Sequence, residues 1–131
     1  MADVANAVRT RLTEHAGTAA LIVARAYHGA LLQDSVLPAS IVQQISAPRI
    51  SAMGDDVDKY EARVQVKACA STRAGAQALQ VQHLAALQRY GGTVASVVIH
   101  DCFIADDTGP EYEDETKLWV GRLDVMVWVT A

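Results

Sequence analysis

The run Leu118 to Thr130, LWVGRLDVMVWVT, restricts the possible folds of this chain more than any other stretch. Trp119, Gly121, Leu123, Val125, Val127 and Val129 are small or apolar and fall on every second position, while Arg122 and Asp124 fall between them. Successive side chains of a strand point to opposite faces, so this pattern belongs to a strand with one face packed. A second run repeats the design: Ala62, Val64, Val66 and Ala68 alternate with Glu61, Arg63, Gln65 and Lys67. Two such strands imply an antiparallel sheet covered on one side only.

The cover is helical. Val4, Val8 and Leu12 form one stripe behind a capping Asp3, and Gly17 marks the end of that helix, with Thr18 capping a short turn after it. Ser71 caps a longer helix over 72–90, where Ala76, Leu79, His83, Ala86, Leu87 and Tyr90 share a flank and Gly91-Gly92 supplies the stop. Arg25 to His28 reads as an extended link, and Pro38 precedes a strand over Ile41 to Ser46. Thr93 to Ile104 is apolar on both faces and is placed centrally. Two long connections remain: Ala47 to Lys59, about 13 residues against the two to five of a hairpin, and the acidic loop Ala105 to Thr116. The expected fold class is α+β, a four-stranded, mainly antiparallel sheet with helices on one face, in the order α(α)ββαββ.

Composition closes off several classes of function. The 131 residues suit one domain, spanning 1–131, that buries roughly two thirds of the surface its unfolded form exposes. Net charge is −4 and the basic residues are scattered, which disfavours sequence-specific nucleic-acid binding. Cys69 and Cys102 have no paired spacing and follow no secretory leader, so reduced thiols in an intracellular compartment are expected. No stretch approaches the ~18 uninterrupted apolar residues that a bilayer demands. The expectation is a soluble protein with no membrane partner.

Candidate chemistry is sparse. His100 and Cys102, two apart in a strand, share a face and offer half of a soft metal site, but further donors would have to come from His15, His28, His83 or Cys69. His83 in an apolar stripe suits a core histidine better than a general base. Asp101 marks a strand end or pairs with an arginine. Gly91-Gly92 follows a helix, the wrong end for a phosphate, and Ser71 and Ser96 lie in no nucleophile motif. No catalytic, cofactor-binding or metal site is expected, and the chain does not read as an enzyme.

What remains is a surface. The outward side of the last strand carries Leu118, Val120, Met126 and Trp128 around Arg122 and Asp124. A mixed apolar and charged strip on an uncovered sheet is a lid for another segment or a subunit interface, with Trp119 and Trp128 as natural anchors. A small α+β binding module that holds a ligand or regulatory partner on this face is the alternative. Acidic residues gather at Asp55, Asp56 and Asp58 and again at Asp106, Asp107, Glu111, Glu113, Asp114 and Glu115, most simply as solvated loops.

Several phrases together, Arg25-Ala-Tyr27, LPASIVQQIS over 37–46, EARVQVK over 61–67, STRAGAQAL over 71–79 and LWVGRLDVMVW over 118–128, resemble the tail terminator or tail completion family of long-tailed bacteriophages and gene transfer agents. The resemblance spans nearly the whole chain and rests on element order and strand phrasing. It implies a hexameric ring that caps the tail tube, halts its polymerisation and meets the head-neck connector. A related neck component, the head-closing stopper, is an alternative within the same class. Under this resemblance Arg49, Ile50 and Met53 of the 47–59 connection reach a neighbour or the tube end, beside an interface of Trp119, Arg122, Asp124, Met126 and Trp128. Some of the acids line the channel, where repulsion keeps passing DNA from sticking. The implied location is the tail-neck junction of a virion assembled in host cytoplasm, with no cofactor.

Overall fold

The computed structural model describes residues 3–31, 36–46, 49–52 and 55–130, and for 49–52 and 55–60 the backbone alone. Helices α1 (Val4–Glu14) and α2 (Ala16–Ile22) come first. Strands β1 (Ala26–His28), β2 (Ala39–Ser46), β3 (Arg49–Ala52) and β4 (Asp55–Ala70) follow. Helix α3 (Arg73–Leu87) leads to β5 (Gly92–Val94), β6 (Val97–Glu113) and β7 (Leu118–Thr130). The class is α+β, but among the described residues the sheet has seven strands instead of four. Its order is β1-β2-β4-β7-β6-β5, with β3 also paired to β4. All pairings are antiparallel except β1 with β2.

The pairing at the centre is β4 with β7, which runs without a register shift from Lys59 opposite Thr130 to Ala70 opposite Trp119. Ala62, Val64, Val66 and Ala68 therefore stand beside Val127, Val125, Leu123 and Gly121 on one face. Helices α1 and α3 cover that face, and Val4, Val8, Leu12, Ala86 and Leu87 join these valines in one buried cluster. Arg11 ties the helices together: its Nε donates to Ala86 O at 3.0 Å, and its guanidinium lies 4.0 Å from the Tyr90 ring centroid.

One of the extra strands arises where the sequence carries no obvious breaker. Thr93 to Ile104 is two strands, because Ala95 and Ser96 take positive φ values of 48° and 65° and reverse the chain. Such turns usually announce themselves with Gly or Asn. Apolar on both faces, β6 nevertheless sits beside the short edge strand β5, not at the centre. Within the connection 47–59 the described backbone is also strand, with Ser51 and Ala52 paired to Asp56 and Asp55. The acidic stretch 105–116 continues β6 as far as Glu113, and the turn is confined to 114–117.

The caps shift as well. His15 ends α1 and its side chain accepts from Thr18 N to start α2, so Gly17 lies inside a helix. Thr72, not Ser71, caps α3 by accepting from Gly75 N. That helix stops at Leu87, and Arg89, at φ 59°, takes the left-handed position ahead of the glycines.

Two buried polar contacts pin α3. Ser40 Oγ lies 2.6 Å from His83 Nε2, and His83 is fully buried with Nδ1 unpartnered. Burial pushes its pKa from 6.5 down to about 3, so the ring is neutral in the folded protein. Gln80 Nε2 donates to Asp107 Oδ1, to Thr108 O at 2.8 Å and to Arg122 O at 3.3 Å. A Cβ at Gly121 would collide with the Gln80 amide, so the glycine is what lets the helix approach β7.

Two outcomes follow for stability. Gly121→Ala should lose about 1–3 kcal/mol in urea unfolding, because the added Cβ displaces the buried Gln80 amide from its part-buried acceptors, and Gln80→Ala should add little to that loss. Unfolded chains protonate His83 below pH 6.5 and the folded protein does so only near pH 3. Stability should therefore fall with acidification through that window, by at most about 1.4 kcal/mol per pH unit, and His83→Gln should flatten the slope.

Candidate assembly surface

The uninterrupted β4–β7 ladder also composes the other face of the sheet. Glu61, Arg63, Gln65, Lys67 and Cys69 stand opposite Trp128, Met126, Asp124, Arg122 and Val120. Across β7, the register places Asp101, Phe103, Asp106, Thr108, Glu111 and Glu113 on this same side. Among the described residues no helix covers it, and it divides into three zones.

At one end the chain covers itself. Cys69, Val120 and Ile41 are buried beneath Leu31, Leu37 and Leu118. Leu118 and Val120 are thus packing residues, not part of an open strip. A cavity of about 280 Å³ remains there, with Lys67 and Glu113 at its wall. Burial, reinforced by Glu113, raises the Cys69 thiol to about 11, far from a reactive thiolate.

The middle zone is charged and internally paired. Arg63 meets Asp124 at 2.6 Å, and Arg122 lies 3.0 Å from Glu113 and 3.8 Å from Glu111. Exposed pairs like these contribute little stability one by one. Their combined effect is to fix side-chain directions across β4, β7 and β6. Asp106 sits at the rim of a shallow hollow formed with Gln65, Thr108, Arg122 and Asp124.

The third zone is apolar. Phe103 pairs with Met126, Asp101 with Trp128 and Val98 with Thr130. Phe103 and Val98 are 39% and 41% exposed, and Met126 and Trp128 are half-buried. Asp101 holds Arg89 at 3.0 Å, and the same guanidinium lies 4.4 Å from the Phe103 ring centroid, a cation–π contact that braces the ring at the surface. Aromatic and sulfur side chains held half-exposed on a rigid sheet are typical anchors of protein contacts.

The expected interface residues do not all share this surface. Arg122, Asp124, Met126 and Trp128 do. Trp119 lies on the helix-covered side, where its ring meets Tyr112 at 5.4 Å and 58°. The backbones of Arg49 and Ile50 lie in β3, Met53 is outside the described residues, and nothing is described of the side chains of Arg49 and Ile50. Of the acids, Asp106, Glu111 and Glu113 belong to the open face, whereas Asp107 turns toward α3 and accepts from Gln80. The backbones of Asp55, Asp56 and Asp58 lie in the part of β4 that β7 does not reach, and their side chains are outside the described set. Phe103 and Val98 escaped sequence reasoning as a pair, because the register shift between Ile99 and Asp101 resets the alternation. The same shift separates exposed His100 from buried Cys102, so they do not share a face. Burial, then the Asp101 charge, lifts the Cys102 thiol to about 12. Among the described residues no group of three or more His, Cys, Asp or Glu is placed to hold a metal ion, and no helix is long and apolar enough to cross a membrane.

Residues 6–130 match the family model described as Tail completion protein gp17. The fold is similar to that of a chain in the structure titled "Virion of native gene transfer agent (GTA) particle", at a TM-score of 0.72 and 14% identity over 98% of this chain and 95% of that one. Identity that low speaks for the fold alone. No curated protein matches the sequence. The family model, by contrast, spans almost every residue from α1 to the end of β7, and the chain belongs to the tail completion protein gp17 family as a structural component of a virion tail.

Proposed function

We propose that residues 1–131 act as one tail-terminator-like unit that forms a ring, most simply of six copies, on the end of the tail tube. The ring stops the addition of tube subunits and presents its other side to the head-neck connector or stopper, at the tail-neck junction of particles assembled in host cytoplasm. The observation that supports this reading is the apolar zone on a sheet face that no helix among the described residues covers, in a member of a tail completion family. Phe103, Met126 and Trp128 supply the adhesive area, and the Arg122 and Asp124 pairs beside them orient it. The paired ends of β3 and β4, Ser51–Ala52 with Asp55–Asp56, lie beyond the stretch of β4 that β7 pairs with, and Arg49, Ile50 and Met53 of this connection are the residues assigned to touch a neighbour or the tube. Asp106, Glu111 and Glu113, together with Asp55, Asp56 and Asp58, present negative charge to the channel, so DNA passes without specific binding. The work is done by shape and association, without catalysis or a cofactor.

The test is tube growth in vitro. Wild-type protein added to polymerising tube subunits should shorten the tubes seen by electron microscopy and leave a ring at their ends. Trp128→Glu should lower that activity at least tenfold while its far-UV spectrum and thermal midpoint stay close to wild type. Tubes of unchanged length with wild-type protein would sink the reading.

A further inference from the structure

The edges of the sheet are guarded unevenly. An unpaired strand edge recruits other strands, and proteins blunt it with charge, proline, bulges or a covering side chain. On β1, Arg9 Nε occupies Ala26 O at 2.7 Å. Along β6 beyond β5, Arg89 N donates to Cys102 O at 2.8 Å, Ile104 N donates to Gln88 Oε1 at 3.1 Å, and Gln80 Nε2 covers Thr108 O. The remainder of that edge carries three register shifts, Asp106, Glu111 and the pair Gly109-Pro110. In sequence, β3 opens with Arg49 behind Pro48, and the free end of β4 holds three aspartates.

Two segments have none of these guards among the described residues. The register of β1 with β2 ends at His28 opposite Val42, so Gln43 to Ser46 have no strand on that side. All four are exposed and uncharged, and the bulge between Gln44 and Ser46 presents an isoleucine, Ile45, 48% exposed, instead of a charge. At the opposite end of the strand order, β5 pairs only with β6, and Tyr90 to Ile99 contains no charged residue.

We propose that β5 of one copy pairs with Gln43–Ser46 of the next, so that the sheet continues from subunit to subunit. The occupant of each bare edge is a second copy of this chain, because the two edges lie at opposite ends of one sheet. One copy cannot bring them together, whereas a head-to-tail repeat pairs each with its complement and closes when the rotation permits. Following the ladders across the sheet, β5 stands level with Lys59 and Gln44 with Val64. That offset is a stagger of roughly 15 Å at the rise of a strand, and stagger is what a sheet needs in order to close on itself. Each junction is short, but a ring engages every junction at once, which multiplies weak contacts. The inference rests on the ring reading and leaves the Trp128 face available for the tube.

Single cysteines placed at each position from Gln43→Cys through Ser46→Cys are mixed with Thr93→Cys in the full chain under mild oxidation, with native mass spectrometry run in parallel. Cys69 and Cys102 are buried and stay silent. The expected result is a disulfide dimer from at least one mixture and from neither variant alone, and a ladder of linked copies from the matching double variant. Ile45→Lys should weaken self-association at least tenfold with its thermal midpoint retained. Rings in the mass spectrum without a cross-link in any mixture overturn the strand junction and leave the ring standing. Dimers from one variant alone, or a tube subunit captured at residue 45, overturn it too. A strict monomer at high concentration, with no assembly on tubes, removes both.

Discussion

Everything in this molecule is referred to the uninterrupted pairing of β4 with β7. Side chains alternate with a period of two along a strand, so one unshifted ladder from Lys59–Thr130 to Ala70–Trp119 assigns two long rows of residues to their faces at once. A slip of β7 by one residue would carry Leu123 and Val125 into water and bring Arg122 and Asp124 under the helices. Charges without partners in that position are far more costly than the small changes of a surface site. The core and the uncovered face are therefore two sides of a single decision about register.

That decision was plainly legible in the sequence, because both strands alternate cleanly and both are long. The covering helices were legible for the same reason: Val4, Val8 and Leu12, and Ala76, Leu79, His83 and Ala86, recur at helical spacing and all are buried. Strands whose signals depend on backbone torsions stayed hidden. Ala95-Ser96 reverses the chain without a glycine, and the positive φ of Arg89 stops α3 before Gly91 is reached. Acidic composition concealed the second half of β6, since residues on an uncovered face have no need to be apolar. In the surface itself, Met126 and Trp128 could be placed by counting from Leu123, but Phe103 could not, because the bulge after Ile99 breaks the count on its strand.

The polar groups between the layers are few and directional. Gln80, His83 and Arg11 each join a helix to something specific: a sheet edge, the Ser40 hydroxyl and the last turn of α3. Apolar packing alone tolerates sliding of a helix along a valine-rich sheet, whereas these bonds are satisfied at one position only. Gly121 belongs to the same arrangement, because it grants the close approach at which the Gln80 amide can reach its three acceptors. The outcome is a rigid support behind Met126 and Trp128, and a contact surface that need not be ordered on binding loses less affinity to entropy.

The mismatch between β6 and β7 has a geometric consequence. From Val98 to Glu113, sixteen residues of β6 run alongside the thirteen of β7, and the surplus of three is absorbed one at each of three irregularities. A ribbon whose two margins differ in length cannot lie flat, and it coils with a radius fixed by that difference. In any closed collar built from this polypeptide, a few surplus residues on one margin would therefore help to set the bore.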